Sequence, residues 1–432
     1  MMDTEKLYEI FLQHPEVTTD SRNCPPGSIF FALKGENFDG NCYALSALDK
    51  GCSYAVVDNP DVVPKGDSRL CLVNDALLAL QQLATHHRQR MRIPVIQITG
   101  TNGKTTTKEL ISAVLQKKYN TLYTQGNLNN HIGVPRTLLR LTDKHEMAVI
   151  ETGANHPGEI DFLCRMVQAD YGLITNVGRA HLEGFGSFEG VKRTKGELYD
   201  DLAGRNKSAF LNVEDPDLRA MADKRKLNTI PYVKGEVLEC NPMLKVRWQC
   251  PTDGLWHNVC THLIGAYNLA NVLSAITVGQ YFGVSPEDID RALEAYSPTN
   301  SRSEFKKTES NSLIIDAYNA NPTSMSVALD NFRFMQADNK MAILGDMKEL
   351  GKESIAEHQK IVDMLSTSDL KEVWLVGSEF ALTQHAILSI PYRLFANVDE
   401  VKAHLASHPI HSHTILIKGS NGTRLFQLPD LL

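Results

Sequence analysis

The sequence has no long apolar run, no block of basic residues and no closely spaced pair of cysteines. No stretch approaches the roughly 20 apolar residues that a membrane helix needs. The N-terminal segment MMDTEKLYEIFLQHPEV lacks the basic and apolar regions of a secretion signal. We therefore expect a cytoplasmic protein that does not insert into a membrane.

Basic residues are also outnumbered, with 44 Lys and Arg against 51 Asp and Glu and a formal net charge of -7. A general nucleic-acid binder needs a basic stripe that displaces counterions from phosphates. We therefore expect no nucleic-acid partner, although a basic pocket for a small anionic ligand is compatible with this composition.

The eight cysteines are scattered and form no CxxC pair. Cys240, Cys250 and Cys260 recur every ten residues, which is too wide a spacing for a zinc clip. We interpret the cysteines as free buried thiols.

The length of 432 residues predicts about three domains at roughly 150 residues each. We place a small α/β domain at 1–90, a central domain at 91–298 and a third domain at 299–432, after a linker at Pro298 and TNSRSE. In the central domain, apolar runs alternate with amphipathic segments, which predicts a parallel sheet covered by helices on both faces. Alternating polarity from 233 to 264 predicts an antiparallel appendage, and the last domain repeats the strand–helix series of a Rossmann-like fold.

The strongest motif lies where the apolar run PVIQITG meets the helical run TTTKELISAVLQKKY. Glycines in such a loop let the backbone approach phosphates, and the helix N-terminus presents free N–H groups. The usual pattern has a glycine five residues before Gly103, but Ile98 stands there and the glycine is at 100. We predict that this phosphate loop binds ATP through Gly100, Thr101, Asn102, Gly103, Lys104, Thr105 and Thr106.

Further segments accompany this shifted loop: GNLNNHIGVPRTLL, ETGANHPGEI, TNVGRAHLEGFGS, TKGELY, DAYNANPTSM, GDMKELG and KGSNGTR. Together they resemble the Mur ligase family of ATP-dependent amide-forming enzymes, and the asparagine-rich blocks resemble its D-alanyl-D-alanine-adding branch. The N-terminal DSR and GSIFFALKGENFDG match the uridine-nucleotide domain of that family. The resemblance implies a UDP-binding first domain, a P-loop ATPase domain and a Rossmann-like third domain.

The resemblance implies that UDP-MurNAc-tripeptide and D-Ala-D-Ala are the substrates, joined through an acyl phosphate at the expense of ATP. The product would be UDP-MurNAc-pentapeptide, in the final cytoplasmic step of peptidoglycan precursor synthesis. We expect a monomer. Two readings stay open: another ligase of the superfamily, either a sister Mur enzyme or a folylpolyglutamate synthetase, and a P-loop switch that catalyses no ligation.

The resemblance also implies two Mg²⁺ ions and a carbamylated lysine. The metal ligands would be Thr105, Glu151, His181 and Lys195, with His181, Lys104 and the carbamylated, metal-bridging Lys195 in catalytic roles. By sequence alone Lys192 competes with Lys195, and either side chain on a charged helix is ordinarily solvated.

The remaining residues implied by the resemblance contact substrates. Asn268 and Asn271 lie three apart on one predicted helix face and suit the adenine edge, unless they cap or join helices. In the third domain, Arg302, Asp316 and Asn319 would contact ATP. The sequence does not distinguish the individual roles of Tyr318, Asn321 and Lys418. The muramyl substrate would contact Ser21, Arg22, Lys34, Asp39, Asn127, Asn129 and Asn130, any of which is alternatively a turn former.

Overall fold

The first sheet of the chain is built from short apolar strands that alternate with turns and two longer helices. The computed structural model describes residues 1–63, 67–298 and 302–432. The sheet has the order β1-β2-β5-β6 with all neighbours parallel, and β3 pairs with β4 as a separate hairpin. In chain order the elements are α1 (Thr4–Gln13), β1 (Val17–Thr18), β2 (Ile29–Phe31), β3 (Lys34–Gly35), β4 (Phe38–Asp39), α2 (Ala44–Asp49), β5 (Tyr54–Val57), β6 (Leu70–Leu72) and α3 (Ala76–Arg90).

The central sheet has six parallel strands in the order β12-β11-β10-β7-β9-β8. The direction of winding reverses at β7, so the loops that follow β7, β9 and β10 meet at one edge of the sheet. This is the position where open α/β sheets bind ligands. The elements are β7 (Val95–Thr99), α4 (Lys104–Leu115), β8 (Thr121–Tyr123), α5 (Gly133–Leu138), β9 (Met147–Glu151), α6 (Glu159–Val167), β10 (Tyr171–Ile174), α7 (Leu182–Phe185), α8 (Phe188–Gly204), β11 (Ser208–Leu211), α9 (Pro216–Asp223) and β12 (Asn228–Pro231).

The predicted antiparallel appendage is present as β13 (Gly235–Cys240), β14 (Met243–Gln249) and β15 (Trp256–Ile264). Two helices follow, α10 (Leu269–Tyr281) and α11 (Pro286–Ala295). Ser285 caps α11, because its hydroxyl accepts a hydrogen bond from the Asp288 N–H at 3.2 Å. Apolar side chains of α10 share a buried cluster with those of α4, which fixes the helix that begins at the phosphate loop.

The last sheet has the order β16-β17-β21-β18-β19-β20, with only β16 antiparallel to its neighbour. The strand β16 was not predicted, because its EFKK sequence has no apolar run and directly follows the predicted linker; residues 299–301 of that linker lie outside the described residues. The elements are β16 (Glu304–Lys307), β17 (Ser312–Asp316), α12 (Pro322–Phe334), β18 (Lys340–Gly345), α13 (Ser354–Leu365), β19 (Glu372–Val376), α14 (Ser378–Ala381), β20 (Tyr392–Phe395), α15 (Val398–Ser407) and β21 (Thr414–Lys418).

Buried apolar clusters join the three sheets. Leu80 and Leu83 of α3 belong to one cluster with Val95 and Ile150 of the central sheet. A second cluster contains Leu182 of α7 together with Met347 and Leu350, which follow β18. The domain boundaries at 90 and 298 stay a prediction, and the start of the third domain at 299 falls outside the described residues. Within the described ranges, no helix is long and apolar enough to cross a membrane.

The eight cysteines are free thiols, but the expectation that they are buried is wrong for two of them. Cys42 and Cys260 are exposed, and Cys24 and Cys240 are partly exposed. Cys260 lies on the solvent side of β15, where buried and exposed residues alternate along the strand.

Candidate active site

The phosphate loop follows β7 and folds tightly against the end of β10. Gly100 has φ +144°, and a Cβ there would lie 2.0 Å from the Thr175 hydroxyl oxygen. Gly103 has φ +77°, and a Cβ there would lie 2.8 Å from Oδ1 of Asn271. Both positions therefore require glycine, and the shifted glycine at 100 is the one that lets the loop approach the neighbouring strand.

Two residues that we did not predict hold the loop in place. The Asn176 side chain accepts a hydrogen bond from the Asn102 N–H at 3.0 Å, and the Thr175 hydroxyl donates to the Asn102 carbonyl at 2.6 Å. The Thr101 N–H also donates to the Asn176 carbonyl at 3.0 Å. Thr175 and Asn176 begin the TNVGRAHLEGFGS segment, and that segment was the only sequence feature from which we could have predicted their role.

Lys104 begins α4, and its ammonium group folds back onto the loop. Its Nζ donates to the carbonyls of Gly100 and Thr101, each at 2.9 Å. Burial lowers the pKa of Lys104 to about 8, with a smaller opposing contribution from Glu151. A phosphate group beside the loop would favour the charged form of this lysine.

Thr105, in the first turn of α4, and Glu151, at the end of β9, each carry a buried side-chain oxygen. The Thr105 hydroxyl and Oε2 of Glu151 have no protein hydrogen-bond partner among the described residues. An unsatisfied buried polar group costs about 1–3 kcal/mol, and more when it is charged. A hard cation such as Mg²⁺ prefers oxygen ligands of this kind, and the unpartnered oxygen of Glu151, which lines the cavity, fits such a ligand.

Hydrogen bonds to the second carboxylate oxygen and to the backbone hold Glu151 in place. Nδ2 of Asn129 donates to Oε1 at 2.8 Å, and the Glu151 N–H donates to the Thr124 hydroxyl at 3.0 Å. Asn129 was predicted to bind substrate, and in the structure its amide orients the carboxylate.

His181 lies at the start of α7 with φ 50°, and its partner comes from the last domain. Nδ1 of His181 is hydrogen-bonded to Oε2 of Glu349, which holds the pKa of that carboxyl below its usual range. Glu349 was not singled out from the sequence, although it lies in the GDMKELG segment. A histidine bonded through Nδ1 keeps Nε2 for a metal, and this pattern is usual for metal-ligating histidines.

Lys195 lies on α8 and is buried, at 2% exposure, rather than solvated. Its Nζ donates to the Ala154 carbonyl at 3.3 Å and lies 5.3 Å from the centre of the Phe185 ring. Burial, followed by repulsion from Lys104, holds the pKa of Lys195 well below its usual range. Lys192 differs, because its Nζ pairs with Asp217 at 2.7 Å and this hydrogen bond raises its pKa.

Asn268 and Asn271 are bonded to each other and to the protein. Nδ2 of Asn271 donates to Oδ1 of Asn268 at 2.8 Å, and Nδ2 of Asn268 donates to the Ile264 carbonyl at 2.8 Å. Oδ1 of Asn271 accepts from the Thr107 hydroxyl at 3.0 Å. Both residues line the cavity, yet most of their polar atoms serve the packing of α10 on α4, so the contact with adenine stays a prediction.

The last domain reaches the phosphate loop through Asn321. Its Nδ2 donates to Oδ1 of Asn102 at 2.8 Å, while its own Oδ1 caps α12 through the Ser324 N–H at 2.9 Å. The Thr323 hydroxyl accepts from the Arg179 N–H at 3.0 Å beside this contact. The central and last domains therefore meet directly at the loop.

Charged groups of the last domain line the same cavity. The Arg302 guanidinium lies 3.8 Å from the centre of the Tyr318 ring, and its buried Nε has no protein partner among the described residues. Nζ of Lys418 pairs with the Asp316 carboxylate at 2.5 Å, so the charge of this buried lysine has a partner within the protein. Asn319 lines the cavity, and its side-chain oxygen accepts from the Ala320 N–H at 2.9 Å.

The predicted substrate residues do not all lie together. Asn127, Asn129 and Asn130 all line the cavity, and Oδ1 of Asn130 also accepts from the N–H groups of Ile132 and Gly133 at the start of α5. The first-domain residues lie outside the cavity lining. There Arg22 pairs with Asp20, Lys34 pairs with Asp58, Asp39 accepts from the Asn41 N–H, and the Ser21 carbonyl accepts from Lys50.

These groups surround one cavity of about 1060 Å³. Its lining includes Gln81 of the first domain, Lys104 and Glu151 of the central domain, and Arg302 and Lys418 of the last domain. A phosphate loop, the buried carboxylate of Glu151 and basic groups thus face one space that all three domains enclose. This arrangement suits phosphoryl transfer to an acidic substrate.

Comparison with known proteins finds relatives that align with most of this chain. Three family models fit successive parts of the chain: "Mur ligase family, catalytic domain" at 15–88, "Mur ligase middle domain" at 98–279 and "Mur ligase, glutamate ligase domain" at 301–421. The UDP-N-acetylmuramoyl-tripeptide–D-alanyl-D-alanine ligase of Bacillus subtilis is 35% identical over 84% of this chain and 79% of its own. The enzyme of the same name from Escherichia coli is 34% identical over 95% and 91%. A crystal structure of MurF from Acinetobacter baumannii is 32% identical, with a TM-score of 0.84 over 96% of this chain and 93% of that one.

We expect Asn129→Ala to weaken Mg²⁺ binding, because Glu151 loses the amide that orients its carboxylate. Loss of such an outer partner typically lowers metal affinity about 10–100-fold. The Mg²⁺ concentration for half-maximal ATP turnover measures this change. Asn120→Ala, an exposed amide remote from Glu151, is the matched control. An unchanged Mg²⁺ requirement in Asn129→Ala would contradict the orienting role.

We expect nucleotide binding to take up a proton at pH 8.5 and to weaken as the pH rises above 8. The free Lys104 has a pKa of about 8, so it is largely neutral at pH 8.5, and phosphates raise that pKa. Below about pH 7 the lysine is already charged and uptake disappears. Calorimetry of ADP binding in two buffers of different ionisation enthalpy measures the uptake. The same uptake in Lys104→Gln would assign the proton to another group.

Proposed function

The chain belongs to the Mur ligase family, and we propose that it joins D-alanyl-D-alanine to UDP-N-acetylmuramoyl-tripeptide with cleavage of ATP to ADP and phosphate. The observation that carries this proposal is the single cavity in which the phosphate loop faces residues of all three domains. Relatives named for this reaction match the chain over most of its length. The product is the UDP-linked pentapeptide, the last cytoplasmic intermediate of peptidoglycan precursor synthesis.

A carboxylate cannot form an amide directly, because its oxygen is a poor leaving group. We propose that the terminal carboxylate oxygen of the tripeptide attacks the γ-phosphorus of ATP, which forms an acyl phosphate and releases ADP. The amine of D-Ala-D-Ala then attacks the acyl carbon, and the tetrahedral intermediate expels phosphate while the nitrogen loses a proton. Both steps bring anions together, so positioning and cationic groups supply most of the catalysis.

These needs can be assigned to residues of the cavity lining and to Thr105 and Lys195, which are not among the lining residues. Lys104 and the backbone of Gly100–Gly103 hold the ATP phosphates, and the guanidinium of Arg302 faces the same space from the last domain. Thr105, Glu151, His181 and a carbamate on Lys195 would hold Mg²⁺, which when bound neutralises charge on the phosphates and the acid. The Asn102–Asn321 contact keeps the last domain over the loop, which shields the acyl phosphate from water.

Lys195 is the proposed site of the carbamate. A carbamate forms when the neutral Nζ attacks CO₂, a C–N bond forms and the nitrogen releases a proton. Burial favours the neutral amine of Lys195, whereas Lys192 is held as a cation by Asp217 and Glu189. The carbamate supplies anionic oxygen, a suitable ligand for a hard metal.

The eight free thiols suit the reducing cytoplasm, where we place the enzyme. A monomeric state stays a prediction. The third residue of the tripeptide, lysine or diaminopimelate, is fixed one reaction earlier, so both forms are substrates to test.

We expect phosphate release from ATP only when UDP-MurNAc-tripeptide and D-Ala-D-Ala are both present. A coupled phosphate assay measures it, and mass spectrometry of the nucleotide product identifies the pentapeptide. Reactions that lack one substrate at a time are the controls. Equal turnover with ATP alone would favour a nucleotide switch, and turnover with a folate and glutamate would favour the folylpolyglutamate synthetase reading.

We expect Lys195→Ala to lose ligase activity and to regain part of it when acetate or another short-chain acid is added. The added carboxylate takes the place of the missing carbamate oxygens. Wild-type activity should instead rise with bicarbonate in CO₂-depleted buffer. Lys192→Ala, on the same helix, is the matched control and should need no rescue. Rescue of both variants or of neither, with the protein folded, would refute the carbamate at Lys195.

A further inference from the structure

The turn between β14 and β15 gathers three metal-type ligands that the proposed reaction does not use. They are Cys250, Asp253 and His257, here called the hairpin triad, and one ligand atom of each lies within 4.8 Å of those of the other two. None of the three lines the nucleotide cavity. The triad is therefore a separate cluster on the antiparallel appendage.

The backbone of the turn brings the triad together. The Cys250 N–H donates to the Leu255 carbonyl at 2.9 Å, and the Gly254 N–H donates to the Cys250 carbonyl at 2.9 Å. Gly254 has φ +75°, a conformation that favours glycine. This tight turn directs Asp253 back toward the end of β14, where Cys250 lies.

His257 has the outer partner that metal-bound histidines usually have. Its Nδ1 lies 2.8 Å from Oδ2 of Asp290 on α11, and Oδ1 of the same carboxylate accepts from the Trp248 indole N–H at 2.8 Å. Trp248 also stacks on His257, with ring centres 4.7 Å apart and an interplanar angle of 24°. With Nδ1–H bonded to Asp290, Nε2 keeps the lone pair that a metal requires.

The thiol of Cys250 lies among polar atoms although it is fully buried. Its sulfur is 3.0 Å from the Thr252 hydroxyl and 3.7 Å from Oε1 of Gln280. Asp253 is exposed at the same turn. Cys250 also belongs to the buried apolar cluster that contains Val246, Trp248 and Val259, so its thiol has both apolar and polar neighbours.

We propose that the hairpin triad binds one Zn²⁺ ion through the Cys250 sulfur, an Asp253 carboxylate oxygen and a His257 ring nitrogen, with water as the fourth ligand. A mixed set of sulfur, nitrogen and oxygen suits Zn²⁺ and not Mg²⁺ or Ca²⁺. The Cys250 thiol releases its proton to solvent as the sulfur–zinc bond forms. The ion fastens the tip of the hairpin to α11 through His257 and Asp290.

Cobalt titration of the full-length, chelator-treated protein tests this site, because a Co²⁺–thiolate bond has its own charge-transfer absorption. We expect one equivalent of Co²⁺ to give this absorption and Zn²⁺ to abolish it by displacement. Cys260→Ser, which removes an exposed thiol on the neighbouring strand, is the matched control and should behave as wild type. Cys250→Ser should lose the absorption, and Asp290→Asn should weaken binding about 10–100-fold.

Ligase activity and the circular dichroism spectrum report whether each variant is folded, since the triad lies outside the cavity. If Cys250→Ser does not fold, His257→Gln and Asp253→Asn test the site instead. Each of them removes one proposed ligand and leaves the Cys250 thiol in place. Both should weaken Co²⁺ binding at least tenfold. Absence of thiolate absorption in the wild type, or its persistence in folded Cys250→Ser, would overturn the proposal, as would unchanged affinity in both His257→Gln and Asp253→Asn.

Discussion

The close packing of the phosphate loop against the end of β10 and the start of α10 is the constraint on which the rest of the site depends. Gly100 leaves room for the Thr175 side chain, and Gly103 leaves room for Asn271. Because the loop is fixed on both sides, its exposed edge faces the cavity in one orientation. Asn102 then meets Asn321, and the last domain has a defined place to dock.

Hydrogen bonds between the central and last domains are also found at other candidate functional residues. His181 belongs to the central domain, but its partner Glu349 comes from the last one. The Arg179 N–H donates across the same boundary to Thr323. The groups that would hold nucleotide and metal therefore depend on a domain arrangement as well as on their own elements. A change at this boundary is expected to alter the reaction even when it contacts no substrate.

The fold was largely predictable because its strands are buried runs with regular spacing, and the phosphate loop has a local signature. The contacts within the site were less predictable, because they join residues that are distant in sequence. Three nearby asparagines illustrate this: all three line the cavity, but Asn129 also orients Glu151, and Asn130 also accepts from N–H groups at a helix start. Lys192 and Lys195 share a helix, but Lys195 is buried against Ala154 and Phe185, whereas Lys192 pairs with Asp217.

The Asn102–Asn321 contact joins residues separated by 219 positions in the chain. A ribosome completes and releases the phosphate loop long before it has synthesised the partner of that loop. Domains generally fold in the order in which they emerge. The nascent protein therefore passes through a stage with a folded nucleotide loop but no last domain above it. During that stage the residues of the last domain that line the cavity are missing, so the ligase becomes complete only when that domain has folded onto the loop.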